Sequence, residues 1–230
     1  MKVAFIPARS GSKGIVLKNL QSINGQSLLS RTIQAALKAE TIDLVFVSSD
    51  SDDILVHGTL NGAIALKRSK ELSLDNTSTD PVIVDGLKQI EEKVGKIEIL
   101  ILLQCTSTFT TPYEIDSVVN TLERNKNSHD AAFAANESHS FLWSYDDSNN
   151  KTTGVNHESN QPRQRRQDLS SKQYLELGSV YAIYRDHLIK SKSRFGSNPI
   201  PVNISSLNSY LEIDTPEDLK IANIIASNYN

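Results

Sequence analysis

A single cysteine, Cys105, stands among the 230 residues of the chain. That scarcity rules out an intrachain disulfide and a cysteine-based zinc cluster, and it points to a reducing compartment. Net charge is scarce as well. With 24 Lys and Arg against 27 Asp and Glu, no broad basic face is available for duplex nucleic acid or an anionic membrane, so any attraction for phosphate must be local. No apolar run approaches the length needed to cross a bilayer. Met1 and Lys2 lead straight into a short apolar run with no signal-peptide architecture, and a soluble, cytoplasmic protein is expected. There is no internal repeat and no long low-complexity segment, although the span from Asp146 to Asp168 is markedly polar.

What is present is alternation. β-rich runs recur at Val3–Pro7, Leu44–Ser48, Ala63–Leu66, Ile97–Gln104, Ala131–Ala135, Gly178–Tyr184 and Tyr210–Ile213. Several are apolar on both faces, as buried parallel strands are. Between them lie helical patterns such as Leu29, Ile33, Ala36 and Leu37, then Val82, Ile83, Leu87, Ile90 and Val94, then Ile115, Val118, Val119 and Leu122. The expectation is an α/β fold, a doubly wound and mostly parallel sheet, with ligands gathered at the carboxyl ends of the strands. A chain of this length buries one substantial core, so residues 1–230 read as one domain. The polar span 136–175 interrupts the alternation while carrying Phe141, Leu142, Trp143 and Tyr145. It reads as an inserted arm that packs on a second subunit, making a homodimer.

The stretch IPARSGSKGIVLKN, residues 6–19, follows the first apolar run directly. Gly11 and Gly14 let the backbone turn tightly and bring amides close to an anion, while Arg9, Lys13 and Lys18 can neutralise a polyphosphate. The spacing is neither that of a Walker A loop nor that of a dinucleotide fingerprint.

This stretch resembles the signature IPARSGSKG-x-P-x-KN of the acylneuraminate cytidylyltransferase family, with Val16 in place of the usual proline. The resemblance implies a nucleotide-diphospho-sugar transferase-like fold and transfer of CMP from CTP to an acidic 2-keto-3-deoxy sugar, releasing pyrophosphate. By the same resemblance Arg9, Lys13 and Lys18 contact the CTP triphosphate and are the catalytic cations. Ala8, Gly11 and Ser12 shape the cradle, and Asn19 lies close to the nucleotide.

Later stretches are similar to the family in turn. KRSKELSLDNTSTDPVI resembles the segment lining cytosine and ribose, which implies Arg68 near the base and Thr79 near the nucleotide. A plainer reading of Asp75, Ser78 and Thr79 is turn formation and capping of a helix that begins near Pro81. LLQCTST resembles the family's LLQPTSP, placing Gln104 against the sugar or nucleotide, with Cys105, Thr108 and Thr110 as departures. Cys105 reads as a packed neutral thiol. RRQDLSSKQYLELGSVYAIYR resembles the segment whose Arg-Gln pair meets the sugar, here Arg166 and Gln167. A guanidinium can grip a carboxylate through two hydrogen bonds. Leu177 stands where the family has asparagine.

In YLEIDTPEDL, a strand over Tyr210–Ile213 puts Glu212 and Asp214 on one side, while Thr215, Pro216 and Asp218 start the last helix. Two carboxylates at a strand end suit Mg²⁺ or Mn²⁺ shared with phosphates, and Glu212 departs from the family's Asp-x-Asp. Asp50 fits either an approach to the nucleotide or plain turn chemistry. The histidines show no metal-ligand spacing. A transferase for another sugar or sugar phosphate, or a non-catalytic nucleotide-sensing homologue, remains the competing expectation.

Overall fold

The structure, a computed structural model, describes residues 1–12, 14–163, 165–169 and 171–228, with the backbone alone at Arg166 and Leu207. The strands are β1 (Lys2–Pro7), β2 (Ser22–Ile23), β3 (Gln26–Ser27), β4 (Leu44–Ser49), β5 (Ile64–Lys67), β6 (Ile99–Leu103), β7 (Ala131–Ser138), β8 (Trp143–Asp146), β9 (Lys151–Gly154), β10 (Gln173–Tyr184) and β11 (Pro199–Asn203). The helices are α1 (Leu28–Lys38), α2 (Asp52–Leu60), α3 (Thr79–Val94), α4 (Pro112–Arg124), α5 (Arg185–Ser191) and α6 (Pro216–Asn228).

Seven strands form one sheet in the order β11-β7-β10-β6-β1-β4-β5. All pairings in it are parallel except those of β10, which runs antiparallel to both β6 and β7. The predicted α/β sheet is therefore present. Side chains that alternate along each strand feed two cores, one per face. Ala4 and Ile6 of β1 join Ile99, Ile101 and Leu103 of β6 beneath α1 and α4. Val3 and Phe5 join Leu100 and Leu102 beneath α3.

The helices start where local chemistry tells them to. Ser27 caps α1 by accepting from the Ser30 amide, and Thr111 and Glu114 form a reciprocal capping box at α4 with Pro112 at its first position. Thr215 and Asp218 do the same for α6, through Thr215 N to Asp218 Oδ2 at 2.8 Å and Asp218 N to Thr215 Oγ1 at 3.2 Å.

Two expectations need correction. Tyr210–Ile213 is not a strand. Residues 207–210 form a 3-10 turn, and residues 211–213 pair with no strand, being tied by the Ile213 amide to the Thr106 carbonyl at 3.0 Å. The inserted arm is also narrower than 136–175. Gln173 pairs with Ser138 and Leu175 with Asn136 across β7 and β10, so the excursion proper is 139–172. It carries its own hairpin, β8 against β9.

Candidate active site

Three strand ends converge on one cleft. The loop after β1, the residue after β5 and the residue after β6 lie at the carboxyl edge of the parallel strands, where open α/β sheets bind ligands. The cleft has a volume of about 470 Å³, within the roughly 300–1,000 Å³ of small-molecule sites. Arg9, Ser12, Lys18, Asn19, Arg68, Thr79, Gln104 and Asp214 all line it. Lys13 lies outside the described residues.

The loop 8–19 is braced from below. Ala8 is fully buried and its amide donates to the Ser48 carbonyl at 2.9 Å, extending the sheet pairing. Ser10 donates through its amide (2.9 Å) and its hydroxyl (2.6 Å) to Asp50, and buried Asn19 donates to the Arg9 carbonyl at 3.0 Å. Burial alone would raise the Asp50 pKa, but the two Ser10 bonds and the nearby Arg68 charge hold it below the ordinary carboxylate value. Asp50 is thus a brace for the loop. Gly11 is exposed with open space around it. Gly14 is required by contact, since a Cβ there would land on the carbonyl oxygen of Asp214. The cationic loop and the acidic segment are pressed backbone to backbone.

The cations meet carboxylates across the opening. Arg9 Nη1 donates to Asp75 at 2.9 Å and Lys18 Nζ to Asp214 at 2.9 Å. Arg68 differs. It is 5% exposed, and its Nε and Nη2 have no hydrogen-bond partner among the described residues. Desolvation lowers its pKa, with Asp50 pulling the other way. A buried guanidinium with unused donors on a cleft wall is suited to receive a polar ligand. Thr79 opens α3, and its neighbour Ser78 makes no side-chain cap bond there, so capping does not account for this pair.

Beside Gln104 but outside the residues that line the cleft, β10 carries an irregularity between Glu176 and Tyr181. Gly178 sits in it at φ +65, and a Cβ there would collide with Glu212 Oε1, with Gln104 Oε1 in ordinary contact beyond. Leu177, in the family's asparagine position, turns into the core at 3% exposure. The Tyr181 hydroxyl donates to Glu176, an acid whose charge reaches Glu212 and that the sequence reading does not single out. Its one signal is its place two residues before a glycine that interrupts strand alternation. Glu212 has a raised pKa, through burial first and then repulsion from Asp214 and Glu176, partly offset by Lys18.

No group of three or more His, Cys, Asp or Glu able to hold a metal is found among the described residues. The neighbouring carboxylates of Glu212 and Asp214 are of the oxygen-donor type that hard divalent cations take.

Gln167 is exposed in the 3-10 turn 166–168 of the arm and does not line the cleft, while the Arg166 side chain lies outside the described residues. The arm holds this segment itself. Arg163 stacks over the Phe141 ring at 4.8 Å and Arg165 pairs with Asp168 at 2.7 Å. Trp143 packs edge-on to His157.

Cys105 lies at the cleft floor, 3% exposed, its thiol pushed up to about 12 by desolvation. At pH 8 its thiolate fraction is on the order of 10⁻⁴. Ellman's reagent should therefore label it only after denaturation, and rapid labelling of the folded chain would contradict this placement.

The fold is an α/β fold of the kind seen in solved nucleotidyltransferases. A solved structure titled CMP:2-keto-3-deoxy-manno-octonic acid synthetase complexed with CTP superposes with a TM-score of 0.71 at 18% identity, covering 100% of this chain and 99% of that one. The cytidylyltransferase family profile matches residues 3–221, and the chain belongs to that family. It is 32% identical over 184 residues to N-acylneuraminate cytidylyltransferase B of Danio rerio, covering 78% of this chain and 41% of that protein. To CMP-N,N'-diacetyllegionaminic acid synthase of Legionella pneumophila it is 28% identical over 222 residues, covering 94% and 92%. The chain spans less than half the length of the vertebrate relatives it matches, 31% and 41% for the two Danio rerio proteins. Among the described residues no helix is long and apolar enough to cross a membrane.

Proposed function

We propose that this chain is a CTP-dependent cytidylyltransferase that joins CMP to the anomeric hydroxyl of a sialic-type 3-deoxy-2-ulosonic acid and releases pyrophosphate. The observation that carries the reading is the convergence of Arg9, Lys18 and Arg68, two of whose nitrogens have no hydrogen-bond partner among the described residues, with Gln104 and Asp214 in one cleft at three strand ends. Family membership and the activities named for the two sequence relatives support it.

In this reading Arg9, Lys13 and Lys18 hold the triphosphate over a cradle shaped by Ala8, Gly11, Ser12 and Asn19. Arg68 and Thr79 face the nucleoside, and Gln104 faces the sugar. The anomeric oxygen attacks the α-phosphorus in line, the bond to pyrophosphate breaks, and the loop cations neutralise the charge that collects on the leaving group. Glu212 and Asp214 would hold Mg²⁺ or Mn²⁺, which supplies charge neutralisation at the phosphate oxygens. Binding of triphosphate draws Lys18 from Asp214 and leaves that carboxylate open.

The chain works as a single domain and as a homodimer. The half-exposed Leu142, Trp143 and Tyr145 on the arm are what a partner would cover, and a partner's arm would bring Arg166 and Gln167 to the sugar carboxylate. The lone buried cysteine accords with a cytoplasmic setting.

The test is pyrophosphate release from CTP with a divalent metal, across a panel of nonulosonic and octulosonic acids. Turnover with at least one of them is expected. CTP binding without release for any acid would leave a nucleotide-sensing protein instead.

A further inference from the structure

A second polar groove lies outside the cleft, between α1, the loop leading into α4, and α6. Its volume is about 710 Å³, and Arg31, Gln34, Ala35 and Lys38 line one wall. These four are spaced i, i+3, i+4 and i+7, so they form one stripe of α1. The facing wall includes Thr108, Phe109 and Asn208, and among the described residues no carboxylate lines the groove. In a chain with 27 acidic residues against 24 basic ones, a groove with two cations and no acid is suited to the opposite charge.

Its groups are also underused. Arg31 lies over the Phe109 ring, 5.4 Å from the centroid, and spends donors on the Thr108 and Ile23 carbonyls at 3.3 and 3.5 Å. Desolvation lowers its pKa. Lys38 forms no ion pair among the described residues. Thr108 is 4% exposed, and its hydroxyl has no hydrogen-bond partner among the described residues. An unpaired buried hydroxyl beside a carboxylate-free guanidinium costs stability unless a ligand satisfies both.

We propose that this groove is a second anion site, separate from the nucleotide cleft, that takes an extended oligophosphate chain. The seven-residue step from Arg31 to Lys38 corresponds to about 10 Å along the helix, a span that one phosphate does not fill and a row of two or three does. The groove is joined to the cleft by a short hydrogen-bonded path. Thr110 and Ser107 amides donate to the Ser107 and Gln104 carbonyls at 3.2 and 3.3 Å, and the Ile213 amide donates to Thr106. An oligophosphate at Thr108 therefore bears on the segment that carries Gln104 at one end and touches the Glu212–Asp214 stretch at the other.

The test begins with the full chain saturated with CTP, without divalent metal or acidic sugar, and then titrated calorimetrically with inorganic tripolyphosphate. One further anion per chain is expected. Binding should weaken at least about 10-fold in R31Q/K38Q, and by about 3- to 10-fold in Thr108→Val, the loss of one hydrogen bond. K38Q alone, at an exposed position, gives the same direction should the double variant fold poorly. A parallel titration with a purine nucleoside triphosphate separates a free oligophosphate from a nucleotide as the occupant. A CTP stoichiometry of two per chain that falls to one in R31Q/K38Q supports the same site. Absence of any tripolyphosphate heat once one CTP is bound, or unchanged affinity in R31Q/K38Q and T108V, would overturn it.

Discussion

The Asp214→Asn variant is expected to release pyrophosphate at least about 100-fold more slowly than the parent chain, yet to bind metal-free CTP more tightly. The two effects have opposite signs because Asp214 does two things. Its Oδ1 lies 2.9 Å from Lys18 Nζ and its backbone carbonyl lies against Gly14. Through this ion pair it neutralises a cation that the triphosphate needs. Replacing it frees Lys18, and because the Asp214 side chain is 64% exposed the gain in CTP affinity is small, about 2- to 5-fold. During turnover the same carboxylate would share a divalent ion with phosphate, and an amide is a much weaker ligand for a hard cation. The measurements are CTP calorimetry with EDTA present and pyrophosphate release with metal present. A parallel fall in both would mean that Asp214 merely shapes the loop.

How far this site is legible in sequence depends on which interactions are local. The strand-loop pattern of residues 3–19 is contiguous, so its glycines and cations announce themselves, and Arg9, Ser12, Lys18 and Asn19 do line the cleft. Capping at Thr215 is equally local and is present. β11 escapes a sequence reading because Pro199 and Pro201 look hostile to a strand. It lies at the sheet edge, where prolines are tolerated. Alternation over Tyr210–Ile213 suggests a strand, but alternation does not supply a ladder partner, and the segment is held by the turn bond from Leu211 to Asn208 and the bond from Ile213 to Thr106. Glu212 and Asp214 still flank a fully buried Ile213, so the period of two holds locally even though no strand forms. Asp50 and Glu176 act through partners 40 and 5 residues away, and a register irregularity or a long-range brace leaves little trace in a single sequence. Gln167 is exposed on the arm and does not line the cleft, and sequence spacing alone carries no information on where such an excursion folds.

Arg68→Met should stabilise the chain and disable it. Arg68 is 5% exposed with two guanidinium nitrogens unpaired among the described residues, and desolvation dominates its environment, with the Arg9 charge acting in the same direction. Removing a buried cation usually strands its counter-ions, but here they keep other partners. Asp50 retains both Ser10 bonds, and Asp85 retains the Gln89 amide at 2.7 Å. A methionine of similar length fills the space without the desolvation cost, so unfolding should require about 1–2 kcal/mol more, a rise of about 2–8 °C in the midpoint for a domain of this size. CTP affinity should fall about 100-fold, since charge-assisted bonds to a ligand in a dry site are worth about 1.5–3 kcal/mol each. Arg68→Lys recovers part of the charge but not the planar fork, and it should bind CTP between the two. Thermal unfolding and CTP calorimetry on the three proteins decide the matter. A lower midpoint with undiminished CTP binding would make Arg68 a structural cation and remove the strongest polar receptor from the cleft.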